Sequence, residues 1–284
     1  MNEFDELFPK MKDRKELYIH DPFLDDEMYY ADKYYVSNSN LGRMRDNLYY
    51  FDLYLKCRFK YPSNTNFVVG RLFHTMLLEP GKVKSFVKSS VKGRRTKKFS
   101  EELLEVGIEK IGDPNVDEHK AREIGFNWLL TKDEYEMCEN MVNSFLRRDK
   151  LSCMLTDTMK EVPTIGEYRG VPVKGKADII LEAPGGIRIG LDPKSTAKPV
   201  SEFVSSAYRY NYDRQAVLYM LLFDLDEFYF IPVEKNPPYT PALLKCSDKF
   251  LESGLRKLNK DIDLYKKLFI NGEYDPNYLI EKEI

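Results

Sequence analysis

Asp178 and Asp192 flank a predicted β-hairpin, and their spacing brings two carboxylates together. Residues 171–181 are apolar and β-rich, residues 183–186 (Ala-Pro-Gly-Gly) have the composition of a tight turn, and alternation resumes after them. A turn centred on Gly185 places Asp178 directly opposite Asp192. Two ionised carboxylates at cross-strand distance repel each other, so the pairing is destabilising without a neutralising charge. We therefore predict that a divalent cation binds here.

Lys194 and Glu161 extend this acidic pair. Strand side chains repeat every second residue, so Lys194 lies on the same face as Asp192. A two-residue turn at 169–170 (Arg-Gly) would place Glu161 opposite Asp178 on the preceding strand. Clustered carboxylate oxygens suit Mg²⁺ or Mn²⁺, and a neighbouring lysine can assist a water molecule or stabilise negative charge on phosphorus.

The elements that must position these residues are predicted to be mostly helical before the hairpin. Helix-capping residues at 37–40 precede a helical pattern that continues to residue 59. A capping box at 131–134 opens another helix, which extends to about Arg148. Further helices are predicted at 67–78, 100–110, 203–210, 212–223 and 247–269, and a further strand at 227–233.

Gln215 and Tyr219 lie four residues apart in the predicted helix 212–223, so they share one face of it. Strands in the centre and helices on both sides of them in the sequence predict an α/β fold. We expect one domain with a helical N-terminal half over residues 37–284, preceded by a lead-in segment, residues 1–36.

Several motifs occur in an order that resembles a known family. They are Asp178, the triplet Asp192-Pro193-Lys194, the pair Gln215-x-x-x-Tyr219, and upstream the stretches 70–74 (GRLFH) and 78–80 (LEP), with 233–239 (VEKNPPY) after the last predicted strand. This set resembles the PD-(D/E)XK nuclease superfamily. Within it the chain is similar to the RecE-type exonucleases (exodeoxyribonuclease VIII), and more distantly to RecB and the lambda-type exonucleases. The resemblance spans roughly residues 37–269.

The resemblance implies a fold and an activity. The fold would be the restriction-endonuclease-like core, a mixed central β-sheet flanked by helices. The activity would be Mg²⁺-dependent hydrolysis of DNA, with Mn²⁺ as a possible substitute, in the 5′→3′ direction from double-stranded ends. Such digestion leaves 3′ overhangs for a single-strand annealing protein in phage or prophage recombination, and family members form ring-like homo-oligomers.

The resemblance also implies roles for individual residues. His74 lies in an apolar helix, where a lone histidine usually packs in the core, but the matching residue in the family approaches the metal. The main-chain carbonyl of Pro193 would join the metal ligands. Gln215 would orient the site or contact DNA, and Tyr219 would reach a phosphate or Lys194. Because proline cannot donate to a sheet ladder, Pro193 predicts that its strand leaves the sheet there.

The overall charge gives no support for nucleic-acid binding. The net charge is −2 and the isoelectric point about 6.1, whereas a DNA-binding domain is usually basic. Positive charge is concentrated in residues 82–98. Two alternatives stay open for this segment: it contacts phosphates, through Arg94, Arg95, Lys97 and Lys98, or it is a solvated loop.

Composition excludes several classes of protein. The four cysteines form no C-x-x-C pair, which argues against a zinc knuckle, a disulfide framework and an iron–sulfur nuclease. No apolar run approaches the roughly 20 residues of a membrane span, and the acidic start is unlike a signal peptide, so we expect a cytoplasmic protein. Two other functions remain open: a non-catalytic DNA-binding or assembly module on a nuclease fold, and an endonuclease of restriction or repair type.

Overall fold

The computed structural model describes residues 26–276, which form helices around a central sheet. The helices are α1 (Asp26–Ala31), α2 (Asn38–Asp46), α3 (Leu48–Leu55), α4 (Thr65–Leu78), α5 (Lys97–Ile111), α6 (Glu118–Phe126), α7 (Lys132–Leu146), α8 (Asp149–Cys153), α9 (Phe203–Arg209), α10 (Tyr212–Phe223) and α11 (Asp248–Tyr265). The strands are β1 (Val87–Lys88), β2 (Leu129–Leu130), β3 (Met159–Tyr168), β4 (Val171–Ala183), β5 (Ile187–Thr196), β6 (Glu227–Glu234) and β7 (Leu244–Lys245). Within this range, no helix is both long and apolar enough for a membrane span.

The main sheet has five strands in the order β3-β4-β5-β6-β7. The β5–β6 pair is parallel and the other pairs are antiparallel, so the sheet is mixed. One hydrophobic core contains side chains of α2, α10 and α11, and a second core contains side chains of α4 and α7. Strand residues contribute to both cores, so helices flank the sheet. The predicted fold class is therefore confirmed.

The central hairpin has the predicted register. Ile179 pairs with Leu191, and the ladder runs from there to the turn at 184–186, where two glycines have positive φ angles of 88° and 77°. The next step along this register is Asp178 opposite Asp192. The preceding hairpin turns at 169–170, also as predicted, with both turn residues in the left-handed region that a type I′ turn requires.

The sheet opens into a fork just beyond the paired part of β4 and β5. Their ladder ends at Ile179–Leu191, whereas β5 stays paired with β6 as far as Thr196. The expectation that the strand leaves the sheet at Pro193 is therefore wrong: Pro193 pairs with Ile231 inside the parallel ladder. Its missing N–H is tolerated because the β4 ladder has already ended on the other side of the strand.

The helical pattern of residues 41–59 forms two helices, not one. Asn47 is extended, with φ −161° and ψ 110°, and separates α2 from α3. Its side chain accepts a hydrogen bond from the backbone N–H of Tyr50, so it acts as the N-cap of α3. Asparagine competes well for such local bonds, and this is what interrupts an otherwise continuous apolar pattern. The predicted N-cap in residues 37–40 is Ser37, which forms a capping box with Asn40, and the predicted capping box at Thr131 is confirmed.

Candidate metal centre

Three side chains from three different elements meet in the fork of the sheet. His74 lies on α4, Asp178 on β4 and Asp192 on β5, and each offers a ligand atom within 4.8 Å of those of the other two. His74 Nδ1 lies 3.4 Å from Asp178 Oδ2. The divergence of β4 from β5 opens the space that the imidazole enters. One nitrogen and two carboxylate oxygens are a donor set that Mn²⁺ accepts readily and Mg²⁺ tolerates.

Asp192 is held in place from two sides. Its side chain is 1% exposed, Gln215 Nε2 donates a 2.7 Å hydrogen bond to its Oδ2, and Lys194 Nζ lies 2.8 Å from its Oδ1. Burial raises the pKa of Asp192 to about 7, and the nearby charge of Asp178 adds to this rise, although Lys194 opposes it. Ionisation of this buried carboxyl group is costly by itself, and it becomes favourable when a cation is bound beside it.

Asp178, like Asp192, is a carboxyl group that is costly to ionise in its buried surroundings. Its Oδ2 atom is buried and accepts no hydrogen bond from residues 26–276. Burial raises its pKa to about 6, against the opposing charge of Lys194. A buried carboxylate oxygen without a donor is expensive to maintain. A cation between the two aspartates would satisfy it, so the residues present fit a divalent metal.

The pKa values of His74 and Lys194 are shifted in opposite directions. Burial lowers the pKa of His74, and the positive charge of Lys194 lowers it further, which keeps the imidazole neutral as a metal ligand requires. The Pro193 backbone is within hydrogen-bonding reach of this imidazole. Burial alone would lower the pKa of Lys194, but the Asp192 and Asp178 carboxylates outweigh it and raise the pKa above the usual value. Lys194 therefore stays an ammonium.

Glu161 lies next to this cluster but outside it. The register around it would place it opposite Asp178, yet that pair is missing from the ladder and Glu161 has a positive φ of 53°. Its carboxylate forms a 2.6 Å ion pair with Lys176. Glu161 lines the same cleft as His74 and Asp178. Direct metal ligation by Glu161 stays a prediction.

Helix α10 supplies the polar wall of the site. Gln215 and Tyr219 share one face, and Gly175 of β4 lets the helix approach closely, since a Cβ there would lie 3.2 Å from the Tyr219 ring. Burial keeps the pKa of Tyr219 well above its usual value, so its hydroxyl remains protonated. The ring of Tyr212 lies 5.1 Å from the Lys194 ammonium, a cation–π contact that the sequence analysis did not predict.

A buried polar network fixes the start of α10, and no local sequence pattern indicated it. Arg214 is 1% exposed; it forms an ion pair with Asp261 of α11 and donates hydrogen bonds to the Asn38 side chain and carbonyl. Gly254 of α11 packs on the Asp213 carbonyl so closely that a Cβ would lie 2.1 Å from it. Arginine in an apolar helix could have suggested burial, but its partners are at distant positions in the chain.

The site opens into a cleft with a volume of about 920 Å³, and the basic segment of residues 82–98 contributes Lys82, Ser85 and Phe86 to its wall. Arg94 makes a two-pronged contact with Glu134, with both N–O distances 2.8 Å, and its guanidinium also lies over Phe99. Lys97 and Lys98 belong to the first turn of α5, not to a loop. The cleft wall includes none of Arg94, Arg95, Lys97 and Lys98. Their contact with DNA stays a prediction.

Most of the chain matches one family. Residues 50–282 fit the model of a PDDEXK-like domain of unknown function (DUF3799). The chain belongs to this family. The resemblance seen in the sequence is therefore confirmed at the level of the PD-(D/E)XK superfamily. No curated protein sequence is significantly similar to it.

A solved structure shows the same fold. A protein of Eubacterium rectale, whose name gives exonuclease as a provisional assignment, aligns over 92% of this chain and 96% of its own with a TM-score of 0.63 and 17% identity. Two others align less well: SSO0001, with TM-score 0.31, 16% identity and coverage of 68% and 85%, and a phage-related exonuclease of Haemophilus somnus 129PT, with TM-score 0.32, 13% identity and coverage of 66% and 92%. At this identity the first likeness establishes the fold alone.

Proposed function

We propose that this PDDEXK-like protein is a divalent-cation-dependent nuclease that hydrolyses DNA phosphodiesters. The observation that carries the proposal is the cluster of His74, Asp178 and Asp192 with ligand atoms within 4.8 Å, beside the Lys194 ammonium. Asp178 lines an open cleft next to the buried Asp192. Both carboxyl groups have raised pKa values, and the buried Oδ2 of Asp178 accepts no hydrogen bond from residues 26–276. Such perturbed groups in a cleft are typical of a catalytic site.

Each residue has a role that follows from its position. His74, Asp178, Asp192 and the Pro193 carbonyl would hold the cation, with Glu161 as an outer member. When bound, a divalent cation polarises the scissile phosphate and lowers the pKa of the attacking water. Lys194 donates hydrogen bonds to the reacting oxygens and offsets their negative charge. Gln215 keeps the Asp192 carboxylate in one orientation.

We further propose exonuclease action on double-stranded DNA ends, in the 5′→3′ direction, with 3′ overhangs that serve recombination through a single-strand annealing protein. A ring-like homo-oligomer would fit processive digestion. This finer part of the proposal is supported by the ordered motifs and their similarity to RecE-type exonucleases. The domain limits at residues 37 and 284 and the cytoplasmic location belong to the same proposal.

The proposal is tested by digestion of linear duplex DNA labelled at either its 5′ or its 3′ end. We expect digestion with Mg²⁺ or Mn²⁺ and none with a chelator, and early release of the 5′ label. Covalently closed circular duplex should remain intact. Cleavage of the circle would instead favour an endonuclease, and no digestion with either metal would favour a non-catalytic module.

Cation binding should stabilise the folded protein. A ligand that binds only the native state at 100 times its dissociation constant adds about 2.7 kcal/mol to the free energy of unfolding. We expect Mg²⁺ or Mn²⁺ to raise the melting temperature, measured by calorimetry, and Asp178→Asn to abolish most of this rise. Without the cation, Asp178→Asn should be at least as stable as the unchanged protein, because it removes a buried, poorly solvated charge.

The matched control is Asp263→Asn. Asp263 is half exposed, pairs with Arg169 on the surface and does not belong to the cleft wall. This variant should keep the full cation response. An equal response in Asp178→Asn and Asp263→Asn would show that the cation binds elsewhere.

A further inference from the structure

Three arginines on the cleft wall have no carboxylate partner among residues 26–276. They are Arg43 of α2, Arg71 of α4 and Arg209 of α9, and we call them the cleft arginines. The other cations that line the cleft are paired: Lys82 with Glu79, Lys174 with Asp32, Lys176 with Glu161, Lys194 with Asp192 and Arg214 with Asp261. The cleft arginines therefore bring uncompensated positive charge to a protein whose net charge is −2.

Aromatic rings hold the cleft arginines in position. The Arg43 guanidinium lies 4.4 Å from the Tyr61 ring centroid, and the Arg71 guanidinium lies 4.5 Å from that of Trp128. Arg209 lies 5.9 Å from the ring of Tyr210. Stacking fixes the plane of a guanidinium while N–H groups at its edges can still contact phosphate. Arg71 Nη2 also donates a hydrogen bond to the Asn127 carbonyl, which further fixes this guanidinium and leaves its other N–H groups for phosphate.

Two exposed rings stand beside the cleft arginines. Phe67 is 66% exposed and Tyr210 is 58% exposed, and both line the cleft. Phe67, Arg71 and His74 follow one face of α4 at helical spacing, so Phe67 lies about 10 Å along the axis from the ligand histidine. Scattered exposed rings are ordinary on a protein surface, but these two flank phosphate-binding groups on a path to the metal site.

We propose that the cleft binds one unpaired nucleic-acid strand, with its phosphates on the cleft arginines and its bases on Phe67 and Tyr210. This inference rests on the proposed function, since it describes how that site receives its substrate. Ring faces can stack only on bases that are not already stacked in a duplex. A double-stranded end would therefore have to be unpaired locally before its strand reaches His74, Asp178 and Asp192.

The phosphate contacts are tested by the salt dependence of binding. Anisotropy of a labelled single-stranded oligonucleotide is measured from low to high salt, with Ca²⁺ in place of Mg²⁺ and the strand checked for integrity on a gel. Each of Arg43→Ala, Arg71→Ala and Arg209→Ala should reduce the slope of log K against log salt by about 0.7. Arg256→Ala removes the same charge from an exposed position outside the cleft wall and should leave the slope unchanged.

The base contacts are tested by affinity at one salt concentration. Phe67→Ala and Tyr210→Ala should each weaken single-strand binding about 5- to 100-fold without changing the salt slope, since stacking involves no counterion release. Tyr210→Phe keeps the ring and should restore the affinity. A blunt duplex of the same length should bind less tightly and should not respond to Phe67→Ala.

The outcomes separate this inference from the proposed function. Unchanged salt slopes in all three arginine variants would overturn the phosphate contacts even if the protein digests DNA. Equal affinity for duplex and single strand, with no effect of either ring substitution, would contradict the proposal that the cleft binds an unpaired strand. Reduced slopes and weakened stacking without any digestion in Mg²⁺ or Mn²⁺ would support the strand site and contradict the nuclease.

Discussion

Lys194→Ala is expected to reduce the rate of DNA hydrolysis by about 10²–10⁴-fold while leaving cation binding in place. The ammonium lies 2.8 Å from Asp192 and is the cationic group nearest the ligand cluster in the described part of the chain. Groups that stabilise developing charge or transfer protons typically contribute rate factors of this size. The measurement is single-turnover digestion of end-labelled DNA at saturating Mg²⁺, so that a change in binding does not enter the rate.

The control for this prediction is Lys198→Ala. Lys198 follows the end of the same strand, is mostly exposed and forms an ion pair with Glu202 on the surface. It should retain the full rate. The melting-temperature rise with cation should persist in Lys194→Ala, which separates a lost catalytic group from a collapsed site. Hydrolysis by Lys194→Ala at an unchanged rate would falsify the assigned role.

Arg214→Met is expected to lower the free energy of unfolding by about 3–5 kcal/mol. Burial lowers the pKa of this arginine, but Asp261 compensates, and the two form a buried ion pair. Removing the Arg214 guanidinium leaves Asp261, which is 5% exposed, with Arg45 at 3.5 Å. It also removes the hydrogen-bond donor of the Asn38 side chain. Loss of one member of a buried pair typically costs this amount. Urea unfolding followed by the fluorescence of the single tryptophan, Trp128, measures it.

The matched control is Arg169→Met. Arg169 also pairs with an aspartate, Asp263, but both side chains are about half exposed. We expect a loss below about 1 kcal/mol there. The double variant Arg214→Met with Asp261→Leu should lose less than the sum of the two single changes, because it leaves no unpaired buried charge. Additive losses would show that packing, and not the charge pair, determines the cost.

Several features of the protein follow from local sequence alone. The glycine-rich turn at 184–186 and the Arg-Gly turn at 169–170 fix two hairpin registers, because loop length and turn type leave little freedom to slip. Those registers place Asp178 opposite Asp192, and the two-residue strand repeat places Lys194 on the same face as Asp192. Helical spacing likewise determined that Gln215 and Tyr219 share a face. These relations act over a few residues, so sequence patterns express them.

Two other local features could not be predicted from the sequence pattern. The break at Asn47 depends on a side-chain hydrogen bond that competes with one continuous helix, and the apolar spacing is compatible with both arrangements. Pro193 stays in the sheet because β4 has already diverged from β5 there, a fact about a neighbouring strand and not about proline itself.

The tertiary structure decided which residues from distant parts of the chain join the two aspartates in the fork and line the cleft. His74 reaches Asp178 although about 100 residues separate them, and Arg214 finds its partners at Asn38 and Asp261. Arg94, in the basic segment, pairs with Glu134, whereas arginines from three distant helices, Arg43, Arg71 and Arg209, line the cleft. Charge density along the chain does not show which charges are already neutralised. That depends on contacts between distant segments, which form only when the sheet and its helices pack together.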